Sequence, residues 1–305
     1  MAISSIGRTQ AAAGGFIPSY WAQKALSVLR NNIVLARVVS RDYEFGNFTK
    51  GQTLNIPYPG TFTAQQKTEG NPATVQQPTN SATVAVTLSQ HWYVDFVIED
   101  WAQAQADSNL MMRYMEPAII SLAENLENYL FSFYTGLTLP SVGTSGTPIV
   151  RSTITAAREA LNTGKVPLQN RSLIINPASE QSLLTDSTLQ SYFAFARSQG
   201  VSEGSIGRID GFDIYMSQLV PIVSGTPNST KNLAIHKEAF LLAVRPLPEI
   251  NDAGVKMAVV HDPESGLAIR MQYQYRSDYR GMYVGFDILY GGVVLRPGNG
   301  LVALG

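Results

Sequence analysis

Apolar positions along this chain follow two periods, and the switches between them outline the fold. From Ser19, residues Ala22, Ala25, Leu26, Leu29 and Ile33 recur at helical spacing, with Pro18 just ahead, where a helix tolerates it. The pattern then changes to period two. Segment 51–57 places Leu54 and Ile56 on one face, and 83–88 does the same with Val84, Val86 and Leu88, so the two are expected to pair. Between them, 58–82 is rich in Gln, Thr, Asn and Pro. A loop of roughly 25 residues without a core of its own is uncommon inside a compact domain. A two-stranded ribbon is not stable alone. The segment is therefore expected to be an extended arm that rests on a neighbouring chain.

Val94, Phe96 and Ile98 alternate as a further strand. Helical spacing returns with Met111, Met115, Ile119, Leu122, Leu126, Tyr129, Leu130, Phe133 and Leu137, a helix on the order of 40 Å long. Asp107 or Ser108 is a candidate cap and Gly136 a candidate stop. Pro117 interrupts the pattern: either the main helix begins near Glu116 with Pro117 at its first position, or it kinks there. Segment 139–148, LPSVGTSGTP, reads as a linker and domain boundary.

The second half mixes helix and strand. A helix is expected over 153–161, a buried strand at 173–175, and a helix opened by Asn176-Pro177. Asp210-Gly211, flanked by 206–209 and 212–216, is a hairpin signal, because glycine accepts positive φ without a Cβ clash. Segment 267–276 alternates Leu267, Ile269, Met271, Tyr273 and Tyr275 with Ala268, Arg270, Gln272, Gln274 and Arg276, a half-buried antiparallel strand whose polar face is expected to be solvated or to meet another subunit.

Composition narrows the function classes. The 305 residues are 45% hydrophobic, enough for two units. Charged residues are 15%, below the typical roughly 25%, which suits a surface covered by partners. Net charge is −1 and no basic run is visible, so phosphate neutralisation leaves no mark on the sequence. Without cysteine there are no disulfides, thiolate metal sites or thiol nucleophiles. No run approaches the ~18 apolar residues of a membrane span, and the small-residue start, MAISSIGRTQAAAGG, is unlike a signal peptide.

Catalytic patterns are missing. His91, His236 and His261 lack a second ligand at metal spacing, no Gly-x-Ser-x-Gly occurs, and Gly143–Gly146 is not followed by Gly-Lys-Ser/Thr. The acidic pair Glu124/Glu127 on the long helix reads as a solvated or interface face. The sequence predicts neither enzyme activity nor a cofactor.

The order of the segments FIPSYWAQKALSVLRNNIVLARVV, FGNFTKGQTLNIP, GRIDGFDIYMSQLVP, NLAIHKEAFLLAVRPLP and DILYGGVVLRPGNG resembles the major capsid proteins of tailed phages with the HK97-type fold. The resemblance covers nearly the whole chain. It implies an α+β, HK97-like capsid fold with an N-terminal arm (1–45), an extended β-hairpin loop (46–90), a peripheral domain with a long spine helix (91–138 and 240–283) and an axial domain (139–239 and 284–305). It implies inter-subunit contacts at Trp21, Arg30, Lys50, Gln65, Lys67, Glu69, Arg270 and Arg276, with Pro117 as a possible spine-helix kink. Implied partners are further copies in hexamers and pentamers, a separate scaffolding protein because no fused scaffold precedes the coat, a portal protein, a decoration or cement protein, and packaged double-stranded DNA bound without sequence specificity. The implied setting is the virion shell, assembled in the host bacterial cytoplasm. Alternatives are an encapsulin-type nanocompartment shell and an α+β hydrolase.

Overall fold

The computed structural model describes residues 18–41, 53–58, 62–72, 82–100, 110–186, 207–249, 255–261 and 267–305. The candidate caps Asp107 and Ser108, and Lys50, lie outside them.

Helix α1 (Pro18–Asn32) is followed by the single turn α2 (Leu35–Val38). Strands β1 (Leu54–Tyr58) and β2 (Ala82–Val86) form an antiparallel ribbon in which Ile56 lies opposite Val84 and Leu54 opposite Val86. Strand β3 (Gln90–Glu99) leads toward the long helix α3 (Leu110–Phe131), which tightens into a 3₁₀ turn at Ser132–Gly136.

The second half runs β4 (Val142–Gly143), α4 (Arg151–Thr163), β5 (Arg171–Ile175), α5 (Pro177–Thr185), β6 (Arg208–Ile209), β7 (Phe212–Met216), β8 (Ile222–Val223) and β9 (Ser229–His236). After a 3₁₀ turn at Lys237–Ala239 come β10 (Phe240–Arg245), β11 (Val255–His261), β12 (Ala268–Arg276) and β13 (Gly281–Val294). A last 3₁₀ turn, Pro297–Asn299, precedes β14 (Gly300–Leu304).

One five-stranded sheet is built around β13, which pairs antiparallel with β3, β12 and β10; β11 pairs with β12. Val284, Phe286, Ile288 and Tyr290 of β13 are buried, as alternation requires. Helix α3 lays Met115, Ile119, Leu122, Leu126 and Leu130 into the same core, where the Tyr129 and Tyr290 rings meet edge-on at 5.4 Å. A division at 283/284 would cut β13, a single 14-residue strand, so the sequence-based boundary is corrected: 284–294 belongs with β3 and α3.

The other sheet has the order β4-β14-β9-β5-β7-β6, with β8 on β9. All five residues of β5 are buried, and Ile154, Ala157 and Leu161 of α4 pack with Leu173, Ile175, Leu301 and Ala303. Asn176 caps α5 by accepting the Ser179 N–H at 3.1 Å. Segment 139–148 is no loose linker. Its Gly146 N–H donates to the Gly305 carbonyl at 3.0 Å, and β4 pairs parallel with β14.

Of the two readings of Pro117, the helix start near Glu116 is corrected: helix α3 (Leu110–Phe131) passes through Pro117, which is not a first-turn residue. Its ring and Arg113, whose carbonyl loses its helical partner, both lie on exposed positions, open to solvent. Helix α1 packs on α3, β11 and β12, and Ala22, Ala25, Leu26, Leu29 and Ile33 are buried there.

Candidate assembly surfaces

The ribbon β1–β2 is rooted on its own chain. Ile56 and Val86 are buried with Leu241, Ala243 and Leu295. A Cβ on Gly291 would collide with the Thr87 carbonyl, so glycine lets the chain after β2 cross β13 at backbone contact distance. Beyond the root the ribbon has no cover among the described residues: 62–72 is exposed throughout, and it carries Gln65, Lys67 and Glu69 behind Phe62, which is 69% exposed.

Trp21 and Arg30 lie in α1; their side chains lie outside the described residues. What fixes α1 and α2 was missed from sequence. Glu127 of α3 is 1% exposed, and its carboxylate accepts the N–H groups of Val34 (3.1 Å), Leu35 (2.9 Å) and Ala36 (3.0 Å). Reading Glu127 as a solvated face is therefore corrected: it caps α2 from another element, satisfying donors that a helix start leaves open. Burial pushes its carboxyl above the usual range, opposed by the three N–H bonds and by Arg37. The signal was spacing: Glu127 stands four residues after Ala123 and three before Leu130, inside the apolar stripe.

Arg270 and Arg276 share a face of β12 but have different surroundings. Arg270 has a side chain only 11% exposed; its Nε donates to Asp287 Oδ1 at 3.0 Å, Nη2 pairs with Oδ2, and Nη1 donates to the Pro248 carbonyl at 3.1 Å. His91 Nε2 also meets Asp287 Oδ2, at 3.1 Å. Arg270 is thus tied within its own chain. Arg276 is exposed and stands 4.9 Å from the centre of the Tyr283 ring. Burial, then the Asp95 hydrogen bond, raises the Tyr283 hydroxyl well above its ordinary value. Arg270, Asp287, His91, Asp95 and Tyr283 line a 220 Å³ cleft with Tyr93 and Gln272, and Arg276 does not. The apolar row of β12 ends at Tyr273: Tyr275 is exposed and donates to Asp100 at 2.7 Å.

Asp210 and Gly211 join β6 to β7 with φ values of 47° and 89°, both left-handed, as a two-residue hairpin turn demands. Among the described residues, no group of three or more His, Cys, Asp or Glu side chains has the arrangement of a metal site. No described helix is long and apolar enough to cross a membrane.

No family model matches the chain, and no curated protein matches it by sequence. Solved structures do. A chain from Mycobacterium phage Che8 superposes with a TM-score of 0.65 at 19% identity, covering 89% of this chain and 90% of the other. The fold is the HK97-like capsid fold. The capsid of cyanophage P-SCSP1u matches with a TM-score of 0.60 at 14% identity, over 89% of this chain and 87% of that one. The capsid of Ralstonia phage GP4 gives 0.60 at 11% identity, over 88% and 86%.

Proposed function

We propose that this chain is the structural subunit of an icosahedral phage head, assembling as hexamers and pentamers around double-stranded DNA. The observation that carries the reading is the extent of the fold match, close to nine-tenths of this chain and of the phage chains it resembles. The loop 62–72 supports it, since an exposed segment with no cover among the described residues suits overlap with a neighbour. In this reading the sheet around β13 with α3 is the peripheral domain, and the β9–β14 sheet is the axial domain. Heterologous contacts close into rings. With no disulfide available, overlap among many modest contacts holds the shell.

Shell protein rather than enzyme is the role we assign. Partners proposed on the same basis are a separate scaffolding protein, a portal protein and a decoration or cement protein, with assembly in the host bacterial cytoplasm. A nanocompartment shell or a hydrolase is not favoured by these phage neighbours. Sedimentation of the chain expressed with a candidate scaffolding protein tests the reading. Particles of hundreds of subunits are expected, and a persistent 33.2 kDa monomer would contradict it.

A further inference from the structure

The sequence has no basic run, yet folding collects cations from four distant stretches at one corner of the β9–β14 sheet. Arg171, the first residue of β5, lies opposite His236, the last of β9. Its side chain is buried, the residue being 2% exposed, and donates to the Pro167 carbonyl (2.8 Å), Asn162 Oδ1 (2.9 Å) and the Val166 carbonyl (2.7 Å), all neutral oxygens. Lys165, exposed, sits in the same turn. Arg158, exposed on α4, is near enough to add to the effect of burial in lowering the Arg171 pKa. Lys237 and Arg296 close the corner. After burial, and against the pull of Glu238, they join Arg171 in pushing the His236 imidazole toward its neutral form. Glu238 meets Arg296 at 2.8 Å, and Glu159 follows Arg158 on α4.

We propose that this corner, formed by Arg158, Lys165, Lys237 and Arg296 around Arg171, is where the subunit meets the phosphate backbone of duplex DNA. The inference rests on the shell reading above. Like charges held together by rigid strand ends repel one another, and a polyanion relieves that repulsion. The cations come from α4, the turn after it, the 3₁₀ turn after β9 and the residue just ahead of the 3₁₀ turn Pro297–Asn299. They therefore meet a row of charges rather than a single ion, and duplex DNA presents such a row at fixed spacing. Contacts to phosphate oxygens carry no sequence information directly, so binding through this corner is indifferent to sequence. A net charge of −1 overall keeps the attraction local.

The test is fluorescence anisotropy of the full chain with two labelled duplexes of unrelated sequence, at about 50 and 200 mM KCl. Both duplexes are expected to bind alike. About three phosphate contacts give a slope near −2.7 in log affinity against log salt, a loss of about 40-fold over that range. The pair Arg158→Glu with Lys165→Glu, both exposed and checked for an unchanged thermal midpoint, is expected to weaken binding more than tenfold. The milder Arg158→Gln with Lys165→Gln keeps the test open if the first pair misfolds. Lys256→Glu, on β11, is expected to change nothing. Absence of binding at low salt, binding unaffected by the substitutions, or a preference for poly-glutamate over the duplex overturns the proposal; the last outcome points to an acidic protein partner. Electron micrographs of the same samples separate the two readings: shells without duplex affinity overturn the corner and leave the shell standing.

Discussion

The Glu127 carboxylate receives the Leu35 N–H at 2.9 Å, across 92 residues of sequence. With its bonds to Val34 and Ala36, it fixes the start of α2 against α3. Glu127→Ala leaves three N–H groups without this acceptor in a buried setting. A loss on the order of 3 kcal/mol is expected in chemical denaturation. Faster amide exchange should be confined first to 34–36, and unchanged protection there would contradict the role.

The same residue gives a pH signature. Burial raises the Glu127 carboxyl above its ordinary 4.5, so the folded chain holds a proton that the unfolded chain has already released. Stability from this group is therefore complete below the unfolded value and lost as pH rises through the folded one. Glu127→Gln has no proton to lose, so its thermal midpoint should vary less with pH above about 4.5. Parallel curves for the two proteins would refute the assignment.

Two glycines separate conformational strain from steric collision. Gly211 has φ of 89° with open space around it, so Gly211→Ala should cost about 1 kcal/mol from backbone strain alone, and Asn should be better tolerated there. At Gly291 the obstacle is the Thr87 carbonyl. Gly291→Ala must displace the chain at the ribbon root and should cost about 1–3 kcal/mol. Equal midpoints for the two variants and wild type would show that neither contact matters.

Breaking the Arg270–Asp287 pair from one side strands a charge that is almost buried. Asp287→Ala should destabilise by about 3 kcal/mol, whereas Arg276→Ala, on the exposed end of the same strand, should stay within about 0.5 kcal/mol. Urea titration of both variants checks this.

Much of this architecture was legible because local chemistry and burial agree. The stripe Ala22 to Ile33 does form the buried face of α1, and Asp210-Gly211 adopts the turn its residue types demand. Legibility ended where the partner is distant. Glu127 looks like any helix-surface acid until α2 supplies its donors, and Arg270 looks solvated until Asp287 arrives on the neighbouring strand. The cation corner draws on residues between 158 and 296, so no window of sequence displays it. Pro117 left two readings open in the sequence, a helix start or an interior position, and the burial of Met115 one turn earlier goes with the second.

The exposed loop separates assembly from stability. Lys67→Glu and Glu69→Lys touch nothing that holds the monomer together among the described residues, so each should leave the unfolding free energy within about 0.5 kcal/mol. Particle yield should nevertheless fall, as read by gradient sedimentation. Loss of monomer stability instead would place the loop in the core.

Negative-stain electron microscopy of the chain, expressed alone and with a scaffolding protein, tests the central claim most directly. Closed shells, tubes or hexameric sheets are the predicted result. A homogeneous monomer under both conditions would contradict the assignment of this chain as a capsid subunit.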